Sequence, residues 1–198
     1  YAGESCNAKT AYNWSHKVQL FNLYGPTETT IYAQCKHIHY NEVEQIGTPI
    51  DNTAAYVFDE HFNPLPIGVT GELYIGGAGL ARGYLNKPEL TAEKFILNPF
   101  ATETDKANGY DRLYKTGDLV RWLPDGNLEY IGRKDNQVKI RGFRIELAEI
   151  ESAIINIIAI QQAVVINRVV NDEQYLFAYY TANEQINPEL IIDKMLAI

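Results

Sequence analysis

The distribution of glycine constrains this chain most. All fourteen glycines lie at or before Gly142, and residues 143–198 contain none. Glycine enters tight and left-handed turns without steric cost, so the stretch that holds it is dense in turns, and its loss marks a change of architecture. Before the boundary, short strand-like runs alternate with turns: AAYVF (54–58), the proline-rich DEHFNPLPIG (59–68) and GELYI (71–75). The clearest element is LVRWLPDGNLEYIG (119–132), two alternating apolar segments joined by Pro-Asp-Gly-Asn, which predicts a hairpin. Residues 45–135 therefore read as mostly β.

Past the boundary the period changes. ELAEIESAIINI places Leu147, Ile150, Ile154 and Ile157 at three- and four-residue steps, one apolar face of a helix. AVVINRVV and YLFAYYTA follow, β-branched and aromatic runs separated by Asn-Asp-Glu-Gln, which predict a second hairpin. Asn187-Pro188-Glu189 then supplies a cap residue, a proline at the first helical position and an acid in the first turn before LIIDKMLAI. The expected fold is α+β: a β-rich portion over 1–135, then a small, incomplete βαββα unit over 136–198.

Charge narrows the function classes. Seventeen basic residues against twenty-five acidic ones give a net charge of −8, and no basic run interrupts that balance. The footprint of a nucleic-acid or anionic-membrane binder is missing. Two cysteines, Cys6 and Cys35, are too few for a disulfide framework, and neither a signal peptide nor a membrane-spanning apolar run is present. A reducing cytoplasm is the default expectation. The chain starts at Tyr1 within what reads as continuing sequence, has its only methionine at Met195 and stops in mid-helix, so it is expected to be a piece of something larger.

Five segments are candidates for chemistry. NLYGPTETTIYA (22–33) reads either as a turn running into a helix, with Gly25-Pro26 turning and Thr27 and its neighbours capping, or as a loop that holds a nucleotide. Cys35, His37 and His39 alternate and would share one strand face, but zinc sites within one strand are unusual and no fourth ligand is evident. The run Gly76-Gly77-Ala-Gly79-Leu-Ala-Arg82-Gly83 is one residue too long for a dinucleotide fingerprint and is followed by no apolar helix, so it reads as a tight irregular loop. YKTGD (114–118) places Asp118 after a Thr-Gly turn at a strand end, where its carboxylate either accepts from both hydroxyls of a ribose or satisfies the turn's own amides. Residues 130–151 carry Arg133, Asp135, Lys139 and Arg141 around Gly132 and Gly142, either as a polar hinge between two parts or as a charged, exposed strand pair.

Taken together, NLYGPTETT, GELYIGGAGLARGYLNKPELTAEKF and YKTGDLVRWLPDGNLEYIGRKDNQVKIRGFRIELAEIE resemble, in this order, the later signature motifs of the adenylation domains of nonribosomal peptide synthetases. Those domains belong to the adenylate-forming superfamily, with acyl-CoA synthetases and luciferase. The resemblance covers essentially the whole chain and implies that it is the C-terminal portion of such a domain. The fold it implies is the distorted β-barrel region of the large subdomain, followed by a small mobile lid. The activity it implies is a ligase that activates an amino acid with ATP as the aminoacyl adenylate, releases pyrophosphate, and transfers the acyl group to the phosphopantetheine thiol of a carrier protein.

Residue by residue, the resemblance implies that Asn22 binds the adenine amino group and that Tyr24 stacks on the ring. Thr27 would contact the α-phosphate and Glu28 would coordinate magnesium, a hard ion that prefers carboxylate oxygen. Asp118 would hold the ribose hydroxyls, with Arg133 beside the same sugar and Tyr130 packed near the nucleotide. Asp135 matches the hinge, and Lys139 matches a lysine that serves the thioester-forming state. Ala2, Leu23, Ile31 and Tyr32 fall among positions lining the amino-acid side-chain pocket. A peptidyl carrier domain and a condensation domain are the implied partners.

The family's Ser/Thr/Gly-rich phosphate loop and the aspartate that pairs with the substrate amine would lie upstream of Tyr1, and the adenylation lysine beyond Ile198. This stretch alone is therefore expected to be inactive in amino-acid-dependent ATP–pyrophosphate exchange. Within the superfamily the alternative is an acyl-CoA synthetase, which more often carries proline where Leu147 stands. Outside it, the alternative is a non-catalytic AMP-binding or interaction module, against which Glu28, Asp118 and Lys139 argue.

Overall fold

The computed structural model describes residues 2–3, 7–39, 42–140, 142–157, 159–170, 173–187, 189 and 191–192. The chain forms two compact units, Tyr1–Lys134 and Asp135–Ile198. No helix among the described residues is long and apolar enough to cross a membrane.

The first unit is built on one antiparallel sheet. Its strands are β1 (Phe21–Tyr24), β2 (Gln34–His37), β3 (Gln45–Pro49), β4 (Thr53–Phe58), β5 (Gly71–Gly77), β6 (Phe95–Leu97), β7 (Arg112–Trp122) and β8 (Leu128–Arg133). They are ordered β1-β2-β3-β8-β7-β5-β4, with β6 paired to β7. The expected hairpin over 119–132 is β7–β8, and AAYVF and GELYI are β4 and β5 paired in register from Thr53↔Gly77 to Phe58↔Glu72. Among the described residues of this unit, α1 (Ala8–Ser15) precedes β1, α2 (Pro88–Lys94) lies between β5 and β6, and α3 (Glu103–Ala107) between β6 and β7.

The expected distorted barrel is, among the described residues, an open sheet. The path ends on β1, a strand of four residues whose outer edge, among the described residues, bears the parallel bridge Leu23↔Ala2 and no further strand. On one face of the sheet Val57, Leu73, Ile75, Val120 and Leu128 pack together with Ala33 and Ile46, and on the other Phe58, Tyr74 and Leu113 form a second cluster. Each member of the first cluster is at most 5% exposed. Tyr24, Trp122 and Tyr130 pack against its margin.

The second unit comprises β9 (Gln137–Ile140), β10 (Phe143–Glu146), α4 (Leu147–Ile155), β11 (Ile160–Val170) and β12 (Glu173–Ala182). One more strand is present than the expected βαββα order contains. Phe143–Glu146 folds back on Gln137–Ile140 around Gly142, whose φ of 79° lies in the left-handed region, so the charged segment is a strand pair. The periodic face of α4 is buried as its spacing requires: Leu147 and Ile154, with Ile157 just past the helix end, join Ile160 and Val165 in a core that Ile150 and Leu176 flank. The hairpin β11–β12 runs in register from Val170↔Glu173 back to Gln162↔Thr181. The helix expected over LIIDKMLAI lies largely outside the described residues, as does Pro188; Asn187 Oδ1 does accept from the Glu189 amide at 3.1 Å, as a cap would.

Candidate functional site

The loop after β1 differs from the expected helix start. Pro26 leads into a single 3-10 turn, Thr27–Thr29, after which Thr30 (φ 60°) and Ile31 (φ 70°) both take left-handed backbone. Two β-branched residues in that region carry strain of order 1–3 kcal/mol each. The turn is held because the chain closes on itself behind it: Ala33 N donates to Tyr24 O at 2.7 Å and Tyr32 N to Thr30 O at 2.9 Å. Gly25 is required at the neck, since a Cβ there would lie 2.5 Å from the Tyr32 Cα. A neighbouring strap fixes the far side, with Ala81 N donating to Glu28 O at 2.8 Å and Thr30 Oγ1 to Gly79 O at 2.7 Å.

Asp118 is not at a strand end. It sits inside the eleven-residue β7, just after a bulge at which the register with β5 slips between Glu72 and Tyr74. Gly117, at φ 75°, allows the bulge. Thr116 Oγ1 pins it by donating to Leu73 O at 2.7 Å and accepting from Asp118 N at 3.0 Å. The local amide is thus served by Thr116, and the Asp118 carboxylate is left for longer-range partners. Tyr24 O–H donates to its Oδ2, and Arg133, opposite it on β8, donates from Nη1 to Oδ1 at 2.7 Å. Arg133 Nη2 also donates to Thr116 O at 3.2 Å. Burial, and then the adjoining Asp118 carboxylate, push the Tyr24 phenol well above its ordinary range, so it stays a donor.

The second carboxylate, Glu28, is 8% exposed and accepts from the Tyr84 hydroxyl at 2.7 Å. Among the described residues no group of three or more His, Cys, Asp or Glu is placed to hold a metal ion. A single protein carboxylate beside threonine hydroxyls fits magnesium, which commonly takes one or two carboxylates and completes its shell with substrate phosphate and water, but does not fit an all-protein cage.

The structure thus joins Tyr24, Asp118 and Arg133 in one hydrogen-bonded group and holds Glu28 four residues away on the same loop. Thr27 is exposed beside it. Asn22 is buried, and its Nδ2 donates to Gln45 O at 2.9 Å. Tyr130 lies at the core margin. Of the predicted pocket residues, Ala2 bridges Leu23, and Ile31 and Tyr32 are exposed on the strained turn, Ile31 at 74%. His37 packs against Phe21 at 5.1 Å between ring centroids. In the second unit, Asp135 Oδ1 accepts from Gln137 N at 3.1 Å, and Lys139 stands opposite Arg144 on the β9–β10 pair.

Sequence reasoning missed Thr116 and Tyr84. Thr116 adjoins a residue already singled out, but its role depends on the bulge. Tyr84 lies 56 residues from its partner, and nothing in LARGYL marks it locally.

Comparisons with known proteins bear on the family and the fold. Residues 1–85 match the family model described as AMP-binding enzyme. Bacitracin synthase 3 of Bacillus licheniformis is 51% identical over 184 residues, 92% of this chain and 3% of that protein. An artificially fused adenylation–PCP di-domain nonribosomal peptide synthetase from Klebsiella oxytoca superposes with a TM-score of 0.78 at 30% identity, covering 98% of this chain and 36% of that one. A holo four-domain nonribosomal peptide synthetase bound to AMP and glycine is 42% identical with a TM-score of 0.60, covering 95% of this chain and 14% of that one. The chain therefore spans only part of the length of each of these relatives, 3%, 36% and 14% in turn.

Proposed function

We propose that this chain, a relative of the adenylation domains of nonribosomal peptide synthetases that corresponds to their C-terminal portion, contributes the nucleotide-binding wall and mobile lid of an enzyme that adenylates an amino acid. The observation that carries the reading is the Asp118 carboxylate, 5% exposed, fixed by Tyr24 and Arg133 and adjoining the loop that bears Thr27 and Glu28. A buried, rigidly held acceptor of this kind suits the paired hydroxyls of a ribose. Tyr24, anchored through its hydroxyl, keeps its ring in a fixed plane for the adenine, with Asn22 and Tyr130 beside it. Thr27 donates to the α-phosphate.

In the first step a substrate carboxylate oxygen bonds to the α-phosphorus as the bond to pyrophosphate breaks. In the second, the carrier's thiol sulfur bonds to the acyl carbon, AMP leaves with the former C–O electron pair, and the thiol proton is released. Magnesium, when bound at Glu28, supplies charge neutralisation on the phosphates. The chain's own share is placement, since in-line geometry and fixed dipoles rather than covalent chemistry lower such barriers. Asp135, the first residue of the second unit, is the pivot in this reading, and Lys139 serves the second step.

The test is ATP–pyrophosphate exchange by the full-length protein across amino acids and, in parallel, fatty and aryl acids. Exchange with an amino acid, abolished in Asp118→Ala, is expected. Lys139→Ala should leave exchange within a few-fold and depress loading of the carrier. Exchange only with fatty or aryl acids, followed by transfer to coenzyme A, would overturn the reading.

A further inference from the structure

We infer that Tyr84 is a positioning residue for Glu28: its phenol donates to the carboxylate and sets the orientation in which that carboxylate meets a divalent cation. The inference rests on the adenylation reading and extends it to a residue outside the loop.

Its basis is how thoroughly Tyr84 is itself held. The Tyr84 amide donates to Thr91 Oγ1 at 2.9 Å, and the same hydroxyl donates onward to Lys87 O at 2.8 Å, which ties the residue to the start of α2. Gly83, at φ 147°, lets the strap pass so close to Thr91 that a Cβ there would lie 2.4 Å from its Cγ2. The Tyr84 ring stands edge-on to Phe95 at 5.6 Å between centroids, and its oxygen lies 3.4 Å from that of the buried Tyr114. Behind the strap, Arg112 donates to Arg82 O at 3.0 Å and Ala81 O at 3.1 Å. The Tyr84 backbone is thus held by Thr91, its ring packs on Phe95 and its hydroxyl lies beside that of Tyr114.

What it holds is one oxygen of a buried acid. The strap holds the Glu28 backbone through Ala81 N, and Tyr84 restrains the carboxylate by engaging Oε1 at 2.7 Å. Partners that orient a metal-binding side chain commonly change metal affinity by about 10–100-fold when removed.

The experiment uses the full-length protein and the variants Tyr84→Phe and Glu28→Gln. Tyr84→Phe keeps the ring and its contacts with Phe95 while removing the donor. Mn2+ serves as the probe, its binding in the presence of ATP followed by loss of the free-ion EPR signal, with no turnover required. The magnesium dependence of pyrophosphate exchange is measured alongside. We expect Tyr84→Phe to weaken Mn2+ binding about tenfold, to raise the half-saturating magnesium concentration by the same factor, and to recover most of kcat at saturating metal. Unchanged metal affinity in Tyr84→Phe with a loss in Glu28→Gln overturns the positioning role and leaves the adenylation reading intact. Unchanged affinity in both variants removes Glu28 as a metal ligand, and the inference falls with it.

Discussion

Removing Arg133 tests the Asp118 site most directly. The pair is nearly enclosed, with the side chains of Arg133 and Asp118 12% and 8% exposed and Nη1 2.7 Å from Oδ1. At an effective dielectric constant near 20, that separation corresponds to about 6 kcal/mol of attraction. The desolvation of two ions opposes it by several kcal/mol each, so the intact pair contributes little net stability. Deleting one member is different, because the attraction vanishes while the survivor's desolvation remains. Arg133→Met strands a buried carboxylate and should cost about 3–5 kcal/mol. Asp118→Asn strands the Arg133 guanidinium in its turn but keeps a hydrogen-bonding group against it and Tyr24, so it should fall at the low end of that range, about 3 kcal/mol. The double variant no longer holds an unpaired charge, so it should be more stable than the sum of the two losses by about 2 kcal/mol.

Both tryptophans, Trp14 and Trp122, lie in the first unit, so tryptophan fluorescence during urea denaturation follows that unit without contribution from the second. The expected signature is a lowered midpoint at unchanged slope. An Arg133→Met variant within about 1 kcal/mol of the parent, or strictly additive losses in the cycle, would refute the reasoning.

Two further outcomes follow from the same geometry. The Tyr24 phenol is raised in the folded state above its ordinary value of 10.0, so the stability it contributes is present below that pH and is lost as pH rises toward the folded value. Urea midpoints between pH 9 and 11 should therefore fall less steeply in Tyr24→Phe, by up to about 1.4 kcal/mol per pH unit; an unchanged slope counts against a buried, Asp118-bound phenol. Gly25→Ala forces a Cβ to within 2.5 Å of the Tyr32 Cα and should cost about 1–3 kcal/mol by overpacking. It should also weaken ATP binding by the full-length protein in calorimetry, and normal stability with normal binding would show that the neck of the loop is not closed there.

Much of the architecture was legible in sequence because its causes are local. Alternation and Pro-Asp-Gly-Asn specify β7–β8, and three- and four-residue steps specify α4, since each pattern records which face must be buried. The failures share one physical origin. Thr116-Gly117 has the chemistry of a turn, yet pairing with β5 on one side and β8 on the other keeps the strand running and turns the same residues into a bulge. Thr27-Glu28-Thr29 has the chemistry of a helix start, yet hydrogen bonds from Ala33 and Ala81 hold it to one turn and force Thr30 and Ile31 into strained backbone. In both places tertiary contacts outweigh a local preference worth about 1 kcal/mol or less.

The sequence by itself determined most of the strands, the amphipathic helix and the change of architecture near Gly142, because residue type and spacing carry those, while the ordered motifs it shares with a known family marked Tyr24, Glu28, Asp118 and Arg133 as the groups to watch. Only the tertiary structure decided what each carboxylate touches. That Asp118 is held by Tyr24 and Arg133, and Glu28 by Tyr84, depends on strands and loops 15 to 94 residues apart meeting in space, and no period or propensity encodes such a meeting.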